Sequence, residues 1–129
     1  MTKWERFEFE GRVSEILRSV QYYKKDHHFG RPFLTAYQNA IEFANRYPED
    51  FRQISLKIGG RRSGERTSLA QYIAGELSRR ILSGELKDTE GGFISNRHLK
   101  TITFDHDGKT VESSLTGGAY DLSMFRLRK

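Results

Sequence analysis

The sequence predicts an α+β fold: a single small domain spanning residues 1–129, with a buried central helix and a second, capped helix packed on a mainly antiparallel sheet. Three observations lead there. A chain of 129 residues has room for one hydrophobic core and not for two. Helical spacing of apolar residues dominates the first two thirds and period-two alternation the last third. That order marks α+β rather than the alternating pattern of a parallel sheet. The chain has only two prolines, Pro32 and Pro48, and neither a repeat nor a low-complexity stretch interrupts it.

Residues 3–10 place Phe7 and Phe9 on one side of a short strand, with charges between. Gly11 breaks that pattern. Val13, Ile16, Leu17 and Val20 then follow at helical spacing, so a helix is expected over 12–23. Residues 24–30 read as a polar loop. Pro32 suits a first helical turn, where its missing N–H is no loss. Leu34, Tyr37, Ile41 and Ala44 line one face of a helix over 32–46, and Phe33, Ala36, Ala40 and Phe43 fill much of the rest. A helix apolar nearly all round is the buried central one, and Pro48 stops it. Residues 53–58 alternate, with Ile54, Leu56 and Ile58 inward, as a short strand. After a Gly- and Arg-rich loop, Ser68 and Gln71 form a capping box. Leu69, Tyr72, Ile73, Leu77 and Ile81 make the inner face of a helix over 69–82, which Ser83-Gly84 closes. Gly75 inside that helix predicts a close backbone contact. Residues 85–98 read as loop. Residues 100–104 and 110–115 flank a Gly-bearing hairpin turn. A last strand over 123–128 carries Phe125 and Leu127 inward and Arg126 and Arg128 on a basic outer face. Phe33, Phe43, Phe104 and Phe125 are expected in the core.

Composition excludes several classes. Charged residues reach 30%, but aromatic residues at 12% supply enough apolar bulk to fold. With no cysteine there is no disulfide framework, Cys-based zinc site or thiol nucleophile. No apolar run approaches the ~18 residues of a membrane helix, and the first residues lack the apolar stretch of a signal peptide. The expectation is a cytoplasmic protein without membrane attachment. A homo-oligomer is compatible with this composition.

The net charge of +5 has a single source. Seven bases against two acids lie between Arg52 and Arg80, whereas the remaining bases and acids balance at 15 each. Such clustering calls for an anionic partner. The segment also carries the order strand, glycine-rich basic loop, capped helix. A helix start attracts phosphate through unpaired N–H groups and the dipole. Glycines permit close backbone approach, and arginine forks match phosphate oxygens. The expected ligand-binding residues are therefore Gly59, Gly60, Arg61, Arg62, Ser63, Gly64, Arg66, Thr67 and Ser68. Gly59 and Gly64 have P-loop spacing, but Glu65 and Arg66 stand where Lys and Ser/Thr belong, which excludes an NTPase. No dinucleotide fingerprint occurs, and no cofactor is expected. The opposing reading is a surface loop whose arginines face water.

Other constellations are weaker. His27-His28 are the general acid–base candidates for phosphodiester chemistry, but neighbouring side chains on an extended loop point apart, and a polar loop explains them. Gly30-Arg31-Pro32 lacks the first Arg of an AT-hook. Asp105-His106-Asp107 has the look of a metal triplet, but Gly108 marks a hairpin tip, where Asp serves turn geometry. No catalytic residue and no metal ligand is assigned. Tyr22, Tyr23, Phe29 and Tyr120 lie in or beside loops, where a ring is available to stack on a base. The leading expectation is a non-catalytic binder of a phosphate-bearing anionic ligand, a nucleotide in preference to nucleic acid. The alternatives are a small phosphodiester hydrolase using His27, His28 and His98, and a protein–protein inhibitor module docking on an acidic surface.

Overall fold

A computed structural model describes residues 1–22, 27–59, 67–113 and 121–128. In chain order its elements are α1 (Lys3–Arg6), α2 (Phe9–Arg18), β1 (Leu34–Thr35), α3 (Ala36–Arg46), α4 (Pro48–Ile54), α5 (Leu69–Ser83), β2 (Thr89–Ile94), β3 (Thr103–His106), β4 (Lys109–Glu112) and β5 (Leu122–Leu127). The fold is α+β with antiparallel sheets, as the sequence predicts.

Residues 3–10 are not a strand. Thr2 and Glu5 close a capping box over α1, and Glu8, at φ +53°, turns the chain into α2 at Phe9. The spacing of Phe7 and Phe9 comes from this turn, which lets both rings enter the core. Gly11 lies inside α2, which begins earlier than expected and ends at Arg18.

The central helix starts at Ala36 rather than Pro32. Gln38 N–H donates to Thr35 Oγ1 at 3.1 Å and Thr35 N–H to Gln38 Oε1 at 2.7 Å. This reciprocal cap fixes the boundary and leaves Leu34-Thr35 extended, paired with β5. Helix α3 is central as expected, touching α2, α4, α5 and strands β1, β3 and β5. Pro48 does not merely stop it. It opens α4 at the first helical position, where proline is favoured. The expected strand over 53–58 is therefore absent: Gln53 and Ile54 complete α4, and Ser55 takes φ +60°. Ile54 and Ile58 are nevertheless buried, so the alternation records which residues face inward, not how the backbone runs.

Helix α5 matches its expected span, with Ser68 as N-cap and Gly84 at φ +86° as C-cap. Gly75 departs from expectation, because a Cβ there would meet nothing within 4 Å among the described residues.

The main sheet has the order β1-β5-β2, both pairs antiparallel. Strand β2 occupies part of the expected loop 85–98. Gly91 pairs with Phe125, and a Cβ on it would stand 3.2 Å from two Phe125 ring carbons. The glycine marks a close approach within a strand, not a loop. β3 and β4 form the expected hairpin, but its turn is only Asp107-Gly108, at φ +53° and +79°, the positive-φ pair of a tight hairpin turn. Asp105 and His106 belong to β3, and Lys109 to β4.

The core is strongly aromatic. Trp4 stacks on Phe9 at 5.3 Å, and Phe9 on Phe43 at 4.7 Å. Leu69, Ile73 and Leu77 of α5 and Phe125 and Leu127 of β5 complete it. Phe104 is half-buried and stacks on Tyr37 at 5.1 Å, docking the hairpin. Phe33, expected in the core, is half-buried and lies under Arg126 instead. Among the described residues, no helix is long and apolar enough to cross a membrane.

Candidate functional site

Of the expected ligand-binding residues, Gly60, Arg61, Arg62, Ser63, Gly64 and Arg66 lie outside the described residues. Gly59, Thr67 and Ser68 frame them. Gly59 takes φ +142°, and a Cβ on it would come within 3.0 Å of the Tyr37 ring and 3.1 Å of Ser68 Oγ. Glycine is required there on both counts. Thr67 is exposed and Ser68 is buried.

The start of α5 differs from a bare phosphate cradle. Leu69 N–H donates to the Lys57 carbonyl at 2.7 Å and Ala70 N–H to the Ile58 carbonyl at 2.9 Å. Gln71 N–H donates to Ser68 Oγ at 3.1 Å. The first three helix donors are thus already engaged, where an anion site would need them open. The expected strand before α5 is also absent among the described residues.

Three bases of the 52–80 segment form ion pairs. Arg52 pairs with Glu49 at 2.9 Å, Arg79 with Glu76, and Arg80 with Glu76 at 3.5 Å and Glu85 at 3.0 Å. Lys57, Arg61, Arg62 and Arg66 fall within positions 57–66, and Arg61, Arg62 and Arg66 lie outside the described residues. The expected basic face of β5 is also moderated: Arg126 pairs with Glu90 at 2.6 Å and Arg128 with the same carboxylate at 3.2 Å.

A groove of about 520 Å³ lies between the segment around Gly30 and β5. Tyr22, His27, Phe29 and Phe33 line it with Arg31 and Arg126. The Arg126 guanidinium lies 4.3 Å from the Phe33 ring centre, and Nη1 donates to the Arg31 carbonyl at 3.1 Å. A Cβ on Gly30 would stand 2.9 Å from that Nη1, so the glycine makes room for the guanidinium. Arg31 stands 5.3 Å from the Tyr22 ring centre while donating to the Arg18 carbonyl, at the end of α2, and to that of Val20. His27 and His28 do not point apart as expected. Their rings stack at 4.5 Å, and Phe29 meets His27 edge-on at 4.2 Å. Tyr22 and Phe29 carried a sequence signal as stacking candidates. Arg126 carried none beyond its outward register, because its partner Arg31 lies a whole domain away along the chain.

A second cavity, about 430 Å³, separates α1 and the start of α2 from the end of α5. Glu10, Glu85 and Arg80 line it beside Trp4, whose ring the Arg80 guanidinium covers at 4.6 Å. Burial, and then the neighbouring Glu85 carboxyl, push the Glu10 carboxyl above its ordinary value, opposed by Arg80 and the Trp4 indole. Among the described residues, no group of three His, Asp or Glu side chains is arranged to hold a metal ion. His106 packs edge-on against Phe51 at 6.5 Å rather than joining Asp105 in a ligand set.

No family model, curated protein or solved structure matches this chain.

Proposed function

We propose that this chain is a non-catalytic binding protein for a phosphate-bearing ligand, a nucleotide in preference to nucleic acid, held by the guanidinium groups of Arg61, Arg62 and Arg66. The observation that carries the reading is the confinement of basic charge. Seven bases against two acids lie between Arg52 and Arg80, and Lys57, Arg61, Arg62 and Arg66 fall within ten positions of sequence. Guanidinium forks bind phosphate oxygens in pairs. A compact cluster suits one small ligand, whereas a polynucleotide suits a long stripe.

The stacked histidines weigh against a hydrolase. In-line displacement at phosphorus sets attacking and leaving oxygens on opposite sides. Two imidazoles in face contact at 4.5 Å are not arranged on opposite sides of a phosphate.

Arg61→Ala combined with Arg62→Ala is the test. Calorimetry with nucleoside mono- and diphosphates is expected to show at least a tenfold loss of affinity, with melting unchanged. Unchanged affinity removes segment 59–68 from the site. Salt separates the ligand classes, because duplex contacts lose affinity with a slope of about −0.9 per phosphate and a single nucleotide gives a shallow dependence.

A further inference from the structure

We propose that the outer edge of β2 is an interface for a second copy of this chain, pairing antiparallel with the same strand around a two-fold axis at Gly92.

Hydrogen bonding sets which backbone groups face outward. Arg128 N–H donates to the Asp88 carbonyl at 2.7 Å, and the register from Thr89–Leu127 to Ile94–Leu122 runs without a bulge. Bonded pairs alternate along an antiparallel ladder. Glu90, Gly92 and Ile94 therefore direct their backbone groups to β5, and Thr89, Gly91 and Phe93 direct theirs to the other side. No strand meets them there among the described residues. Thr89 is buried, but Gly91 and Phe93 are exposed. The opposite edge of the sheet, β1, has only two residues before α3 begins. So short an edge is guarded against strand addition, whereas a regular one without bulge, proline or lysine is open to it. The single charge on β2, Glu90, is held by Arg126 and Arg128.

The side chains of this edge fit a second copy. Gly91 and Phe93 stand on the same face of the sheet, one position to either side of Gly92. Phe93 is 69% exposed, and its partner in β5, Ser123, is too small to cover it. Gly91 presents bare backbone beside the Phe125 ring. A protrusion and a recess equally far from one point match their own image under two-fold rotation, which is the condition for an isologous dimer. In this register Gly91 and Phe93 exchange backbone hydrogen bonds with Phe93 and Gly91 of the partner subunit. Each ring then lies across a glycine, the arrangement by which aromatic residues compensate for glycine in a sheet. Glu90 comes opposite Ile94 of the partner subunit, so no like charges face each other. Gly92 meets its own image in a non-bonded pair, where Cα atoms approach to about 4.5 Å. An unrelated strand would take the backbone bonds, but it has no built-in match to the spacing of Gly91 and Phe93.

Sedimentation equilibrium of the full chain over a wide range of concentration is expected to show reversible dimerisation. Phe93→Lys alters a ring too exposed to support the fold; it is expected to weaken the dimer at least about tenfold, with melting of the dilute protein unchanged. Disulfide formation reads the register. The chain has no cysteine, so any disulfide in a single-cysteine variant joins two copies. A Cβ on Gly92 would meet only Met124 Cε, at 3.6 Å, an ordinary contact, so Gly92→Cys fits the strand. Its two sulfurs at the axis lie within disulfide reach, and oxidised glutathione is expected to link them. Ile94→Cys sets the two positions about 13 Å apart along the paired strands and is expected to stay unlinked. A chain that remains monomeric at every concentration overturns the proposal. So does a dimer that Phe93→Lys leaves as tight as before, and so does linking of Ile94→Cys in preference to Gly92→Cys, which marks a different register.

Discussion

Gly75 and Gly91 are the same residue type held for opposite reasons. Gly91 sits opposite Phe125 in the sheet, where a Cβ would stand 3.2 Å from a buried ring, closer than ordinary contact. Gly75 sits inside α5 facing open space. Alanine is expected to act in opposite directions at the two sites. Gly75→Ala should stabilise by about 0.5–1 kcal/mol through helix propensity and a less flexible unfolded chain. Gly91→Ala should destabilise by about 1–3 kcal/mol, because the ring must shift within a packed core. Denaturant titration followed by Trp4 emission measures both. The sequence alone inverted the roles, reading Gly75 as a contact and Gly91-Gly92 as a loop. A glycine shows that a side chain is missing but not which distant atom occupies the space. The partner that decides Gly91 comes from a strand far along the chain.

Helix starts are the elements most legible in this sequence, because a capping box is closed by residues three apart. The box at Ser68 and Gln71 set the start of α5 correctly, and the same device operates at Thr2 and at Thr35. Ser68→Ala is expected to cost about 1 kcal/mol, read as a lowered denaturation midpoint at constant slope. Extended segments were less legible. Alternation over 3–10 and 53–58 recorded inward-facing residues faithfully, yet helix, turn and strand can all bury two residues separated by one. What distinguishes them is whether a partner strand lies alongside, and β5 is already flanked on both sides. The same limit applies to the candidate site. The local features, a basic segment and a capped helix, were readable. That carbonyls of Lys57 and Ile58 would take the helix donors was not, since this depends on how the chain leaves α4.

At the scale of the whole molecule, α2 and the residues after α5 meet at the Glu10–Glu85 pair. A carboxyl whose folded value is raised contributes stability below its unfolded value near 4.5, and this contribution is lost as pH rises through the folded value. Glu10→Gln mimics the protonated form without titrating. The variant is expected to melt higher than wild type at pH 7, with the difference vanishing below about pH 4.5; an equal difference at pH 4 and pH 7 would show that ionisation of Glu10 is not what costs stability. The sheet carries a different consequence, one of timing. β1 and β2 both pair with β5 and, among the described residues, with no other strand. Leu34 must wait for Phe125, and Phe33 for Arg126. During synthesis the helices are free to collapse around Phe9 and Phe43 as they emerge. The sheet has no seam to close until its middle strand leaves the ribosome, and the aromatic groove has no second wall. A stalled ribosome holding β5 in its exit tunnel should thus present a helical, protease-sensitive chain without the groove.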